Sequence, residues 1–167
     1  MKKMGVPYIS KGKVYKVSSV MRRLKEKTLL VNPFKSELTL TNPENEVEER
    51  WRIESLVAID RVVEQSWLMS DKMSYFTIEA KGKEKALLLA VKHEPLCKRW
   101  IKTIRNAKLY LEFAVFNKPV PASEQVVEIF NDETGHTTLY KRKAATNSTL
   151  DTPKRSSSIM DLKSNAF

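Results

Sequence analysis

Apolar and polar residues alternate along much of the N-terminal half, with the period of two that is typical of half-buried β-strands. Segment 37–41 alternates strictly, and segment 73–80 repeats the pattern. Clusters of turn residues, such as those at 32–36 and 42–46, separate the alternating segments. Short and regular spacing of this kind favours an antiparallel barrel or sandwich over a fold of alternating strands and helices. The predicted strands are 12–18, 27–32, 37–41, 50–54, 56–63, 73–80 and 86–91.

The period changes to 3.6 residues at Glu94, which indicates a long amphipathic helix. Pro95 suits the first helical turn, because the N–H that proline lacks has no partner there. The apolar stripe consists of Cys97, Trp100, Ile104 and Leu111. The opposite face carries Lys98, Arg99, Lys102 and Arg105. The simplest role of these bases is solvation of the helix, and a surface for a partner protein is the alternative.

After the helix, the residues at 117–121 interrupt the chain with two prolines, and segment 123–130 is predicted as a second short helix with an apolar side. From residue 137 onward, polar and basic residues dominate. We therefore divide the chain into a flexible N-terminal segment (1–10), a domain (11–116), a linker with the short helix (117–136) and a disordered, basic, Ser/Thr-rich tail (137–167).

The 167 residues are 41% apolar, which excludes a wholly disordered chain and suits one domain with a tail. No run reaches the roughly 18 apolar residues that a membrane span needs. A single cysteine, Cys97, allows no internal disulfide and fits a reducing compartment. We expect a cytoplasmic protein, peripheral to a membrane. Basic groups at 141–143 and 154–155 are spaced like a bipartite nuclear signal, so the nucleus stays an alternative.

The net charge of +10 is unevenly distributed. Residues 1–27 hold nine bases and one acid, residues 28–91 hold eight and eleven, and residues 92–115 hold six and two. A positive field concentrated in this way attracts polyanions such as phosphorylated lipid headgroups, and solubility alone is the simpler explanation. The acidic residues Glu44, Glu46, Glu48 and Glu49 form a loop whose expected role is solubility.

Segment 88–104, LLAVKHEPLCKRWIKTI, resembles the last strand and the C-terminal helix of the pleckstrin homology (PH) family. Segment 52–59, RIESLVAI, is similar to the fourth strand of that family and its following turn. The resemblance extends over residues 8–115. It implies a mainly β fold, a seven-stranded antiparallel barrel or sandwich capped by one amphipathic α-helix, in which Trp100 is a packing residue.

The same resemblance implies a headgroup site in the loop between the first two strands, where lysines and arginines at both strand ends grip phosphates. Lys16 followed by Lys25 and Lys27, and Lys13 followed by Arg23 and Lys25, both match the spacing of the family pattern. Because Lys25 and Lys27 are two residues apart, they are expected to point to the same face. The candidate binding residues are Lys13, Lys16, Arg22, Arg23, Lys25 and Lys27.

Neither catalysis nor metal binding is favoured by the residue pattern. His93 and His136 lack the ligand spacing of a zinc site, and the four glycines form no phosphate-binding loop. Cys97 lies on the predicted buried stripe, where a thiol behaves as a small hydrophobe. We expect no enzyme activity, no catalytic or metal-binding residue and no cofactor.

The function expected from these observations is a membrane-targeting or scaffold module that binds anionic lipids, phosphoinositides among them, through the first basic loop. A protein-protein interaction domain on the same scaffold, without a specific lipid ligand, is the alternative. An unidentified partner protein is expected in either case. Nucleic acid binding is not favoured, because no aromatic residues are interleaved with the bases and no nucleic-acid module is recognisable.

Overall fold

The computed structural model describes residues 6–18, 23–62, 72–113 and 119–141. These ranges contain nine β-strands, one long α-helix and two short 3₁₀ turns, at Ile53–Ser55 and Ala122–Glu124. No helix in these ranges has the length and apolar character needed to span a membrane. The strands are β1 Ile9–Val17, β2 Leu24–Asn32, β3 Glu37–Thr41, β4 Val47–Arg52, β5 Leu56–Arg61, β6 Ser74–Ala80, β7 Leu87–Val91, β8 Val126–Phe130 and β9 Thr137–Lys141, and the helix is α1 Glu94–Glu112.

Seven strands form one continuous antiparallel path in the order β4-β3-β2-β1-β7-β6-β5. The C-terminal half of β1 pairs with β7, and β8 pairs in parallel with the N-terminal half of β1, from Ile9 to Gly12. Strand β9 then pairs with β8. The antiparallel path and the helix that follows it confirm the predicted mainly β fold class, and β8 and β9 are additions that the sequence did not indicate.

The core forms because alternate residues of each strand point to one face of the sheet. Val14, Leu29 and Leu40 are fully buried on this core face, which α1 covers with its apolar stripe. Trp100 is fully buried, and its ring centroid lies 4.0 Å from that of Phe130. The predicted packing role of the tryptophan is confirmed, and the helix therefore holds the sheet in a fixed shape.

The prediction of a short helix over 123–130 is wrong. Val126, Val127 and Phe130 fit a helix or a strand equally well over so short a run. The free edge of β1 decides between the two, since it offers main-chain hydrogen bonds to an extended partner. The first five residues of the predicted tail form β9, and residues 142–167 lie outside the described part of the chain.

Gly12 allows the close approach of β8 to β1. A Cβ atom at this position would lie 2.7 Å from the Cβ of Phe130 and 2.9 Å from its carbonyl oxygen. We expect Gly12→Ala to lower the free energy of unfolding by about 1–2 kcal/mol, because β8 must shift outward. Urea unfolding measures this, with Lys11→Ala on the same strand as the control. Equal unfolding midpoints for the two variants would contradict the close approach.

Candidate binding site at the β1–β2 rim

The register of β1 and β2 brings three of the predicted cations to one face of the sheet. Lys16 lies opposite Lys25, and Val14 lies opposite Lys27. Directly opposed residues point to the same face, and so do residues two apart on a strand. Lys16, Lys25 and Lys27 therefore share the core face with the buried Val14, and Lys27, which lies directly opposite it, is itself only 7% exposed.

Two of these three lysines already have carboxylate partners on β4. The Lys16 Nζ atom lies 2.8 Å from Glu49 Oε2, and Lys27 donates a hydrogen bond to Glu48. Neighbouring residues of a strand normally point to opposite faces. Here a register shift between Leu40 and Thr41 breaks that alternation, which lets both glutamates reach the lysines. Two cations of the expected headgroup site are therefore neutralised from within the chain.

The carboxylate of Glu48 is stabilised in its charged form. The hydrogen bond from Lys27 lowers the pKa of the Glu48 carboxyl, with a further contribution from the Asn42 side chain. Asn42 also fixes the hairpin loop, because its Oδ1 accepts the backbone N–H groups of Glu44 and Glu46 at 3.0 and 2.9 Å. The acidic loop, expected only to aid solubility, thus orders the strand that carries the two counterions.

A different environment surrounds the start of β2. Arg23, Leu24 and Lys25, which we call the β1–β2 rim, are all exposed, with Leu24 at 41%. The side chains of Arg23 and Lys25 make no ion pair or hydrogen bond with any described residue. The backbone N–H of Ser18 donates to the carbonyl of Arg23 at 3.0 Å and ties the rim to the end of β1. Arg22 lies outside the described residues.

Lys13 belongs to a separate cluster on the opposite face of the sheet. Its Nζ atom lies 3.5 Å from Glu26 and 3.7 Å from Glu133. Glu133 also accepts a hydrogen bond from Lys92 at 2.8 Å, which lowers the pKa of the Glu133 carboxyl. The Lys92 ammonium lies 5.7 Å from the ring centroid of Tyr15. The structure thus separates Lys13 from the other candidate cations and gives it a local, mutually neutralising set of partners.

Two bases of α1 that the sequence assigned to solvation have structural partners. The Nη2 and Nε atoms of Arg99 donate to one oxygen of Glu128, at 2.7 and 3.1 Å, and the Glu128 side chain is only 2% exposed. The same two atoms of Arg105 donate to the carbonyl of Ile59, at 2.6 and 3.0 Å. These bonds attach the helix to β8 and β5 respectively.

The described ranges contain no group of three or more His, Cys, Asp or Glu side chains arranged to hold a metal ion. Cys97 is fully buried, and burial raises the pKa of its thiol to about 11. Its Sγ atom lies 3.6 Å from the carbonyl of Tyr75. The thiol is therefore the small buried group that the sequence predicts, and its raised pKa disfavours the reactive thiolate.

The arrangement of strands and helix is now sufficient to place the fold. An antiparallel path of seven strands is followed by one amphipathic helix whose tryptophan fills the core, as the resemblance implied. The fold is PH-like. Lys16, Lys25 and Lys27 thus lie near the strand ends where the family resemblance implied a headgroup site. The sequence did not indicate that Glu48 and Glu49 are the counterions of two of these lysines.

No family model and no curated protein matches this chain. Among solved structures, it is similar to the carboxyl-terminal PH domain of pleckstrin, at 18% identity and a TM-score of 0.49, covering 62% of this chain and 99% of that one. It is also similar to the Vav1 exchange factor in a structure of its PH and C1 domains, at 14% identity and a TM-score of 0.45, covering 59% of this chain and 24% of that one. A structure of Vav1 with an allosteric inhibitor is similar at 12% identity and a TM-score of 0.49, covering 74% of this chain and 31% of that one. Because these values are low, the PH-like description rests on the strand order and the helix.

Proposed function

We propose that this chain is a non-enzymatic membrane-targeting module that binds anionic lipid headgroups, phosphoinositides among them, through the β1–β2 rim. The observation that carries the proposal is the pair of exposed bases, Arg23 and Lys25, on either side of the exposed Leu24. Each base near an anionic surface contributes about 1 kcal/mol. The exposed Leu24 lies at the same strand end and, by strand alternation, on its other face. We place the protein in the cytoplasm, peripheral to a membrane, with the nucleus as the alternative.

The neutralised lysines shape the kind of binding that we propose. Lys16 and Lys27 are paired with Glu49 and Glu48, so the rim attracts a membrane chiefly through its exposed bases. Attraction of this type follows surface charge density and weakens as salt screens it. We therefore expect modest selectivity among anionic lipids and a steep loss of binding as ionic strength rises.

Vesicle sedimentation with Lys25→Gln tests the proposal. The probes are phosphatidylcholine vesicles that contain either phosphatidylserine or a phosphoinositide. Loss of one exposed base, worth about 1 kcal/mol, lowers the partition coefficient about fivefold. The matched control is Lys35→Gln, which removes an equally exposed base in the turn at the far end of β2. An absence of sedimentation at low salt, or an equal loss in both variants, would overturn the proposal.

Protein binding on the same scaffold is the second candidate function. It is favoured by the exposed apolar side chains of Val57 and Leu109, which are 54% and 44% exposed and line a surface that shares no residue with the β1–β2 rim. Lipid indifference in the sedimentation experiment would favour this function. The chemistry of that surface points to a particular kind of partner.

A further inference from the structure

Strand β5 is the end strand of the sheet order among the described residues, and it pairs only with β6. The backbone N–H of Val62 donates to the carbonyl of Tyr75, at 3.0 Å, which fixes which main-chain groups face β6. Because these groups alternate along an antiparallel strand, the main-chain groups of Ile59 and Arg61 point away from β6. Such an edge can accept a further extended chain.

Arg105 of helix α1 occupies part of this edge. It donates to the carbonyl of Ile59 through two nitrogen atoms and to the carboxylate of Asp60 at 3.1 Å. The guanidinium thus supplies the hydrogen bond that an added strand would otherwise donate. The Arg105 side chain is 56% exposed, so it can leave the carbonyl without disturbing the core.

A groove lies between β5 and α1, and we call it the β5–α1 groove. It consists of two adjoining depressions, of about 360 and 450 Å³, which share Arg105 and Asn106. Val57 and Leu109 both line the larger depression with exposed apolar side chains. The surface therefore combines a main-chain edge that has no strand partner among the described residues with an apolar contact, which are the two requirements of strand addition with side-chain selection.

The charge of the β5–α1 groove defines the partner. Its lining contains five bases and two acids. Lys102 has no ion pair with any described residue, and Arg61 and Lys98 share one carboxylate, that of Glu94. Arg105 and Lys108 are paired with the two acids of the lining. Carboxylates of an incoming chain would therefore find cationic partners at Lys102 and at the two bases that share Glu94.

We propose that the β5–α1 groove binds an extended acidic segment of another protein, which pairs with the edge of β5 and places an aliphatic side chain against Val57 and Leu109. The tail of this chain is a poor occupant, because residues 142–167 hold five bases and two acids. A second copy is disfavoured as well, since the net charge of +10 repels another copy. This site is separate from the β1–β2 rim, so each proposal stands or falls alone.

Fluorescence anisotropy with a labelled peptide of about ten residues, the upper length of an ordinary strand, tests the proposal. The peptide alternates Glu with Val or Leu, and a second peptide carries Lys in place of Glu. The full chain is expected to bind the acidic peptide at least tenfold more tightly than the basic one. Two further acidic peptides are N-methylated at alternate residues, one at the odd positions and the other at the even positions. N-methylation removes the main-chain N–H groups that strand addition uses, so at least one of these two peptides is expected to lose binding.

Matched variants locate the binding. Leu109→Gln is expected to lower the affinity for the acidic peptide at least fivefold, and Lys102→Gln is expected to lower it about fivefold. Both side chains are exposed, so both variants are expected to fold. Leu139→Gln, which is similarly exposed on β9, and Lys25→Gln in the rim are expected to leave the affinity unchanged. The proposal would be overturned if the chain bound neither peptide, or if it bound the acidic and basic peptides equally. It would also be overturned if both N-methylated peptides kept their affinity, or if Lys25→Gln alone lowered the affinity for the acidic peptide.

Discussion

The Glu48→Gln/Glu49→Gln double variant is expected to bind phosphoinositide vesicles about fivefold more tightly than the wild-type chain. In the wild type these two carboxylates pair with the Lys27 and Lys16 ammonium groups. A freed base contributes about 1 kcal/mol at an anionic surface, which corresponds to about fivefold in affinity. The Lys16 side chain, which is 37% exposed, accounts for this gain, because the Lys27 side chain is only 8% exposed and stays away from the membrane surface. Vesicle sedimentation at constant ionic strength measures the change.

The Glu44→Gln/Glu46→Gln double variant is the matched control. It changes the net charge by the same amount on the same hairpin, and neither glutamate pairs with a lysine among the described residues. We expect a much smaller increase in vesicle binding from this control. Equal increases in both variants would show that total charge, rather than the β4 counterions, limits binding. If neither the wild type nor either variant sediments, the proposed lipid function itself fails.

Acidification alone is not expected to release Lys27 from Glu48 near neutral pH. Because Lys27 lowers the pKa of the Glu48 carboxyl, this group is charged throughout the neutral range in the folded chain. Its contribution to stability is fully present above the unfolded-state pKa and is lost only as the pH falls through the lowered folded-state value. The Glu48 counterion therefore persists near neutral pH, and a competing anion must displace it.

Sequence patterns predicted those strands and the helix in which apolar residues recur regularly on one buried face. Strand β3 has the predicted bounds of 37–41, and α1 begins at Glu94, where the period changes. Strand β2 begins at Leu24, three residues earlier than predicted, because its first residues are exposed and carry no apolar alternation. Pairing with β1 holds them extended, and a pairing partner is not visible in a local pattern.

The candidate site was only partly predictable for a related reason. Spacing alone places Lys25 and Lys27 on one face, and the structure confirms it. The same rule separates Lys13 from Lys16, since they are an odd number of residues apart on one strand. Glu48 and Glu49 reach the lysines because the register of β4 against β3 is irregular. The sequence signal of this irregularity is the pair of adjacent glutamates, which interrupts the alternation of apolar and polar residues.

The Arg99→Met variant is expected to lose about 3 kcal/mol in its free energy of unfolding. Glu128 is almost fully buried, and Arg99 makes both of the hydrogen bonds that its carboxylate accepts from side chains of described residues. The hydroxyl of Ser10, its neighbour in register, is buried without a hydrogen-bond partner among the described residues and does not compensate. Removing one partner of a buried ion pair leaves a charge that the interior does not solvate. Urea unfolding measures the loss.

The Arg99→Met/Glu128→Gln double variant separates charge from packing. A neutral amide at residue 128 needs no cation, so the double variant is expected to recover most of the lost stability, and Glu128→Gln alone is expected to cost less than Arg99→Met. A double-mutant cycle gives the coupling energy, and hydrogen exchange is expected to place the loss in β8. Additive effects in the cycle would contradict the pairing. Coupling would mean that α1 stabilises β8 beside β1 by neutralising the one buried acid of that strand, a contribution that no local pattern encodes.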